Sequence, residues 1–295
     1  MNKLLDPRIL PLTLTVITLI SCVRPGGGNS RNVGPVPEGA SRSGDESPNG
    51  SPAPAKLEGW NLEWSDEFDG RELDETKWQN EVWRPYAFND ELQSYTDHRK
   101  ENIRVEGGHL VIEARKDGFG GSDYSSGRIN SKVGWTYGRM EARIKLPAGR
   151  GTWPAFWMLP TDLKGKWPDT GEIDIMEHVG HDPNVIVATL HSTDSNFKKE
   201  GPKASKTTKV AGAIDDYHDY AVEWYPDHFD FFADGNKYYT FKNPGNGNNG
   251  WPFDKEFHFV LNVAVGGNWG GQKGLDNSAF PAQMLVDYVR VYKKK

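Results

Sequence analysis

The sequence predicts an all-β protein built as an antiparallel two-sheet β-sandwich, on three observations. Short strand-forming runs alternate polar and apolar residues from Trp60 onward, as in His109-Leu110-Val111-Ile112-Glu113-Ala114 and Arg139-Met140-Glu141-Ala142-Arg143-Ile144. Turn chemistry separates the runs: Pro226-Asp227 and Asp234-Gly235-Asn236 join strands expected over 220–224, 229–233 and 238–241. The chain carries no long helical periodicity and no internal repeat. With 33 Gly, 19 Pro and 11 Trp in 295 residues, the composition suits a turn-rich sandwich with an aromatic-lined groove.

Residues 1–22 read as an export signal. Lys3 and Arg8 precede an apolar stretch, residues 9–20, that is too short and interrupted to span a membrane comfortably. The single cysteine, Cys22, follows Leu19-Ile20-Ser21 in a pattern that resembles the lipobox of bacterial lipoproteins. Cys22 is therefore expected to carry a lipid and become the mature N-terminus. Cleavage by the ordinary signal peptidase is the alternative, although no A-x-A site follows nearby. A lone cysteine leaves no intramolecular disulfide.

Residues 23–57 are rich in Gly, Pro and Ser, as in Gly26-Gly27-Gly28 and Ser51-Pro52-Ala53-Pro54, and cannot bury enough apolar surface to fold. Such a linker reaches about 30–35 Å, enough to hold a domain over 58–295 clear of a membrane. The expected location is exported and lipid-anchored at the bacterial envelope or surface, with secretion as the alternative. The formal charge of −6, with no basic stripe, argues against nucleic acid and against a heavily sulfated polymer. A neutral polysaccharide needs no charge match.

Within 58–295 the most informative run is Gly171-Glu172-Ile173-Asp174-Ile175-Met176-Glu177. In a flat strand Glu172 and Asp174 share a face and Glu177 points the other way. One extra residue, taken up as a β-bulge around Ile175-Met176, returns Glu177 to their face. The two glutamate Cα atoms then stand roughly 13 Å apart along the strand. Their side chains can close that gap to the ~5–5.5 Å between the carboxylates of a retaining glycosidase. Alternating acids and apolar residues also fit the solvated face of an ordinary strand; the Trp-rich surroundings favour a site.

Several further blocks occur in register. They include Trp64-Ser65-Asp66-Glu67-Phe68, Asn89-Asp90-Glu91-Leu92-Gln93-Ser94-Tyr95, Tyr137-Gly138-Arg139-Met140-Glu141-Ala142-Arg143 and Gly151-Thr152-Trp153-Pro154-Ala155-Phe156-Trp157. Asn262-Val263-Ala264-Val265-Gly266-Gly267-Asn268-Trp269 and Val286-Asp287-Tyr288-Val289-Arg290-Val291-Tyr292 follow. Together with the carboxylate motif, they make residues 58–295 resemble glycoside hydrolase family 16 and, within it, the laminarinase-like endo-1,3-β-glucanases of bacteria.

The resemblance implies a concanavalin A-like jelly roll, Glu172 as nucleophile, Glu177 as acid/base and Asp174 as the acid that couples them. Charge coupling supports the last role, since three close acids cannot all ionise freely. Trp153 and Trp157, four apart, share a strand face where an indole can cover a sugar ring. The matched blocks add Trp135 and Trp269 as sugar platforms. They also add His191 as a cleft histidine and Asn89, Arg128 and Asn262 as donors to sugar hydroxyls, while Glu91 fits a bracing role equally.

The resemblance further implies a structural calcium held by Glu67, the Gly108 carbonyl and Asp287, oxygen donors that suit a hard cation. No cofactor is expected for catalysis, and the enzyme is expected to act as a monomer. The implied activity is retaining, endo-acting hydrolysis of β-1,3-glucosidic bonds in laminarin-type glucans, extending to mixed-linkage 1,3-1,4-β-glucan. Two other readings fit the same residues: a galactan-cleaving sibling (agarase or carrageenase), or a non-catalytic carbohydrate-binding sandwich.

Overall fold

The computed structural model describes residues 57–162, 164–199 and 204–295; the export signal, Cys22 and residues 23–56 of the linker lie outside the described residues. Among the described residues no helix is long and apolar enough to cross a membrane.

Two sheets account for the strands. The seven-stranded sheet runs, edge to edge, Ala204–Lys209, Val185–His191, Glu172–His178, Thr152–Pro160, Phe257–Val265, Arg128–Trp135 and Trp78–Asn80. The ten-stranded sheet runs Asn236–Lys242, His228–Ala233, His218–Trp224, Gly138–Lys145, Ala282–Lys294, His109–Lys116, Tyr124–Ser126 and Gln93–Tyr95. Trp60–Asp66 pairs with Ala282–Lys294, and Ile103–Glu106 with His109–Lys116. Pairing is antiparallel except between Gln93–Tyr95 and Tyr124–Ser126. The three runs expected from the turns at 226 and 235 form the meander 218–224, 228–233, 236–242.

The core follows from strand alternation. From the seven-stranded sheet, Ile129, Phe156, Met158, Ile173, Phe259 and Leu261 are fully buried in one apolar cluster. Met140, Ala142, Ile144, Val222, Phe229 and Val289 enter it from the ten-stranded sheet. The neighbours of these residues on each strand therefore point away from the core. On the Thr152–Pro160 strand the outward set is Trp153, Ala155 and Trp157, and on Phe257–Val265 it includes Val260, Asn262 and Ala264. These residues form the floor on which the carboxylates stand.

The carboxylate strand contains the bulge. Asp174 faces Thr189 and Glu177 faces Val187, so Ile175 and Met176 together oppose Ala188 alone. On the other side Asp174 faces Trp157 while Met176 faces Phe156, leaving Ile175 as the extra residue. Both bulge side chains turn into the core, and Glu177 emerges on the outward face with Glu172 and Asp174. Gly171 enters the strand at φ +82, and a Cβ there would lie 3.0–3.2 Å from Pro252, Phe257 and Phe253. Glycine suits this entry on both counts.

Deleting Ile175 removes the extra residue and leaves Glu177 four positions after Glu172, so plain strand alternation still holds both on the outward face. The variant is expected to lose about 2–5 kcal/mol of stability, because the buried Ile175 side chain leaves the core. Urea unfolding at neutral pH measures it, and an unchanged midpoint would show that the Ile175 side chain adds nothing to the core packing.

Candidate active site

Each glutamate is held by its own indole. Trp153 Nε1 donates to Glu177 Oε1 at 3.0 Å, and Trp167 Nε1 donates to Glu172 Oε2 at 2.9 Å. Trp153 reaches Glu177 because Ala155, directly opposite Glu177, is too small to intervene. Trp167 comes from the loop ahead of the strand, five residues before Glu172. His191, directly opposite Glu172 on the neighbouring strand, places Nε2 3.3 Å from Asp174 Oδ2 and 3.7 Å from Glu172 Oε1. One ligand atom from each of Glu172, Asp174 and His191 falls within a 4.8 Å group.

Burial governs the electrostatics. It pushes the Glu172 carboxyl up to about 8, with the nearby Asp174 charge adding to the rise and His191 and the Trp167 N–H opposing it. Glu177 is pushed up to about 7, again first by burial; His191 and the Trp153 N–H oppose, and the Glu172 charge adds. Asp174 is raised well above the ordinary range by burial and by Glu177, while its hydrogen bond with Glu172 favours its ionised form. The three acids thus titrate as a coupled set with raised affinity for protons.

A second hydrogen-bonded line crosses the floor. Trp157 Nε1 donates to Asn262 Oδ1 at 2.7 Å, Asn262 Nδ2 donates to Tyr95 Oη at 3.0 Å, and Tyr95 Oη donates to Glu91 Oε2 at 3.4 Å. Glu91 is buried and also accepts from Gln93 and Asn89 at 2.9 and 3.1 Å, so it braces this corner. Arg128, opposite Asn262, lies 4.9 Å from the Trp157 ring centroid and pairs with Glu81 at 2.6 Å. Trp269 packs edge-on against Trp153, with centroids 5.4 Å apart.

The structure therefore gathers Asn89, Arg128, Trp153, Trp157, His191, Asn262 and Trp269 around the three acids, directly or through one neighbour. Trp135 lies elsewhere: its indole is buried in the core against Trp64 and Phe259, with centroids 5.2 and 4.9 Å away, and no sugar ring can reach it. Its strand explains this, because Trp135 shares the parity of Ile129 and faces Phe257 in the core. Trp167 and Tyr95 are absent from the sequence-derived set. A Trp-Pro pair just ahead of Gly171 was the available signal for Trp167, and Tyr95 closes a block already noted.

Two of the residues expected to hold calcium pair with arginines. Glu67 makes a bidentate pair with the Arg290 guanidinium at 3.0 and 2.6 Å. Asp287 accepts from Arg143 at 2.8 Å and faces His109 at 3.5 Å. Hydrolysis by a carboxylate pair needs no cofactor for the reaction itself.

The glycosyl hydrolases family 16 model matches residues 90–290. The chain belongs to this family. It is 49% identical over 255 residues to a β-glucanase of Rhodothermus marinus, covering 83% of this chain and 89% of that protein. The crystal structure of the laminarinase from Rhodothermus marinus superposes with a TM-score of 0.77 at 48% identity, over 80% of this chain and 98% of the other. SCLam, a non-specific endo-β-1,3(4)-glucanase, superposes with a TM-score of 0.77 at 42% identity, over 82% and 94% of the two chains. The two sheets are thus the jelly roll of a family 16 hydrolase.

The raised carboxyls fix the sign of a stability effect. A group whose folded pKa lies above its unfolded value of 4.5 binds more protons in the native state, so its burial penalty grows as pH rises from 4.5 through about 7. Glu177→Gln removes that ionisation and retains an acceptor for Trp153. The variant is expected to melt above the parent at about pH 9 and level with it near pH 4.5. Thermal denaturation at the two pH values checks this, and a variant no more stable at the higher pH would contradict the burial penalty.

Proposed function

We propose that this family 16 hydrolase cleaves β-1,3-glucosidic bonds within laminarin-type glucans and retains anomeric configuration. Glu172 is the nucleophile and Glu177 the acid/base. The observation that carries the reading is the bulged strand, which sets both glutamates on one face with an indole N–H on each. The names of the similar proteins, β-glucanase and laminarinase, support β-glucan as the substrate. The likeness to a non-specific endo-β-1,3(4)-glucanase supports extending the range to mixed-linkage glucan.

In this mechanism Glu172 attacks the anomeric carbon while Glu177 protonates the departing oxygen; the two then exchange acid for base work as water releases the sugar. Attack requires an ionised Glu172. Asp174, hydrogen-bonded to it, takes over the shared proton, and His191 steadies the charge that remains. A Glu177 carboxyl raised to about 7 stays protonated near neutral pH and can act as the acid. Trp153 and Trp157 offer ring faces beside the acids, and Arg128 and Asn262 offer hydrogen bonds across the floor. Lipidation at Cys22 would hold the domain at the cell envelope, where polymeric glucan reaches it.

Glu177→Ala should lose about 10²–10⁴-fold on laminarin but far less on an aryl β-glucoside whose leaving group needs no proton. Added azide should then yield the β-glycosyl azide with Glu177→Ala and the α-azide with Glu172→Ala. Interchanged products would reverse the two roles. A parent that turns over agarose and leaves laminarin intact would replace the glucanase reading with the galactan-cleaving one.

A further inference from the structure

Four strand spacings separate the Glu172–His178 strand from the Trp78–Asn80 edge strand, about 19 Å across the sheet. A polymer laid across the strands over the glutamates meets whatever stands beyond that edge. There residues 81–92 carry Trp83 and Phe88, packed edge to face with centroids 4.8 Å apart. Both rings remain substantially open, 40% and 39% exposed.

These rings are continuous with the cleft floor. The Arg128 guanidinium lies between Phe88, 5.6 Å from its centroid, and Trp157, 4.9 Å from its centroid. Glu81 holds Arg128 at 2.6 Å and also accepts from Trp83 Nε1 at 3.0 Å. Trp157, the buried Arg128, Phe88 and Trp83 therefore make one line of contacts from the floor to the rim.

The segment is also pinned. Tyr86 N donates to the Glu91 carbonyl at 2.7 Å, Leu92 N to the Val265 carbonyl at 2.9 Å, and Asn268 N to the Asn89 carbonyl at 2.8 Å. Rings fixed in advance lose little entropy when a ligand arrives. An apolar ring face beside a guanidinium matches a pyranose, which presents an apolar face and a hydroxyl edge.

We propose that Trp83 and Phe88 form a distal sugar-binding subsite that takes a glucosyl residue of the same β-glucan chain that occupies the cleft. The subsite rests on the glucanase reading above and adds to it a preference for longer chains. Continuity with the floor favours this occupant over a separate protein partner.

The test compares kcat/KM on laminaritetraose and laminariheptaose for the parent, Trp83→Ala, Phe88→Ala and Trp83→Tyr. The parent should favour the longer substrate, and each alanine variant should lose about 3- to 10-fold of that long-to-short ratio. Trp83→Tyr, which keeps a ring, should retain most of it. A variant that merely lost folded protein would lose rate on both substrates equally; an unchanged ratio overturns the subsite. A parent inactive on both oligosaccharides would instead sink the glucanase reading, and the subsite with it.

Discussion

A β-strand cannot present two residues five positions apart on one face unless one residue drops out of the alternation. Glu172 and Glu177 are five apart, and the residue that drops out is Ile175. Everything else in the site depends on this. The bulge turns Ile175 and Met176 into the core, where they add to the apolar contact between the sheets, so the irregularity is stabilised by the packing it creates. It also sets Glu177 opposite Ala155, the one small residue between two tryptophans, and so opens the path for the Trp153 N–H.

Placing three acids on one face near the core has an electrostatic consequence. Burial raises all three, and their mutual repulsion raises them further. The indole N–H groups and His191 work the other way by favouring ionised carboxylates. Burial thus favours a protonated Glu172, whereas attack requires an ionised one. Asp174 reconciles the two, because its hydrogen bond with Glu172 lets one proton serve both groups. A middle acid is therefore needed for its charge coupling as well as its position.

Much of this was legible in the sequence, for a physical reason. Alternation carries the strand assignment and core side, and the odd spacing of 172 and 177 calls for a bulge in the right place. What alternation could not give was the partner of each side chain across the sheet. Trp135 shows the limit from the other side: it stands seven residues after Arg128 on one strand, so the two could not both face the cleft unless an odd number of residues dropped out. The register shift there spans three residues against one, which preserves parity and sends Trp135 into the core. Trp167 approaches Glu172 from a loop, where no periodicity exists to place it. The expected calcium ligands illustrate a different limit, since oxygen donors in a sequence do not reveal that Arg290 and Arg143 stand beside them.

The retaining mechanism proposed for Glu172 and Glu177 needs their carboxylates ~5–5.5 Å apart. The stereochemistry of the first product measures that separation through the reaction itself. Proton NMR of laminarin hydrolysis, recorded before mutarotation, should show the β-anomer of the new reducing end accumulating first. Initial formation of the α-anomer would place a water between carboxylates ~6.5–9.5 Å apart, and would contradict the role assigned to the bulge.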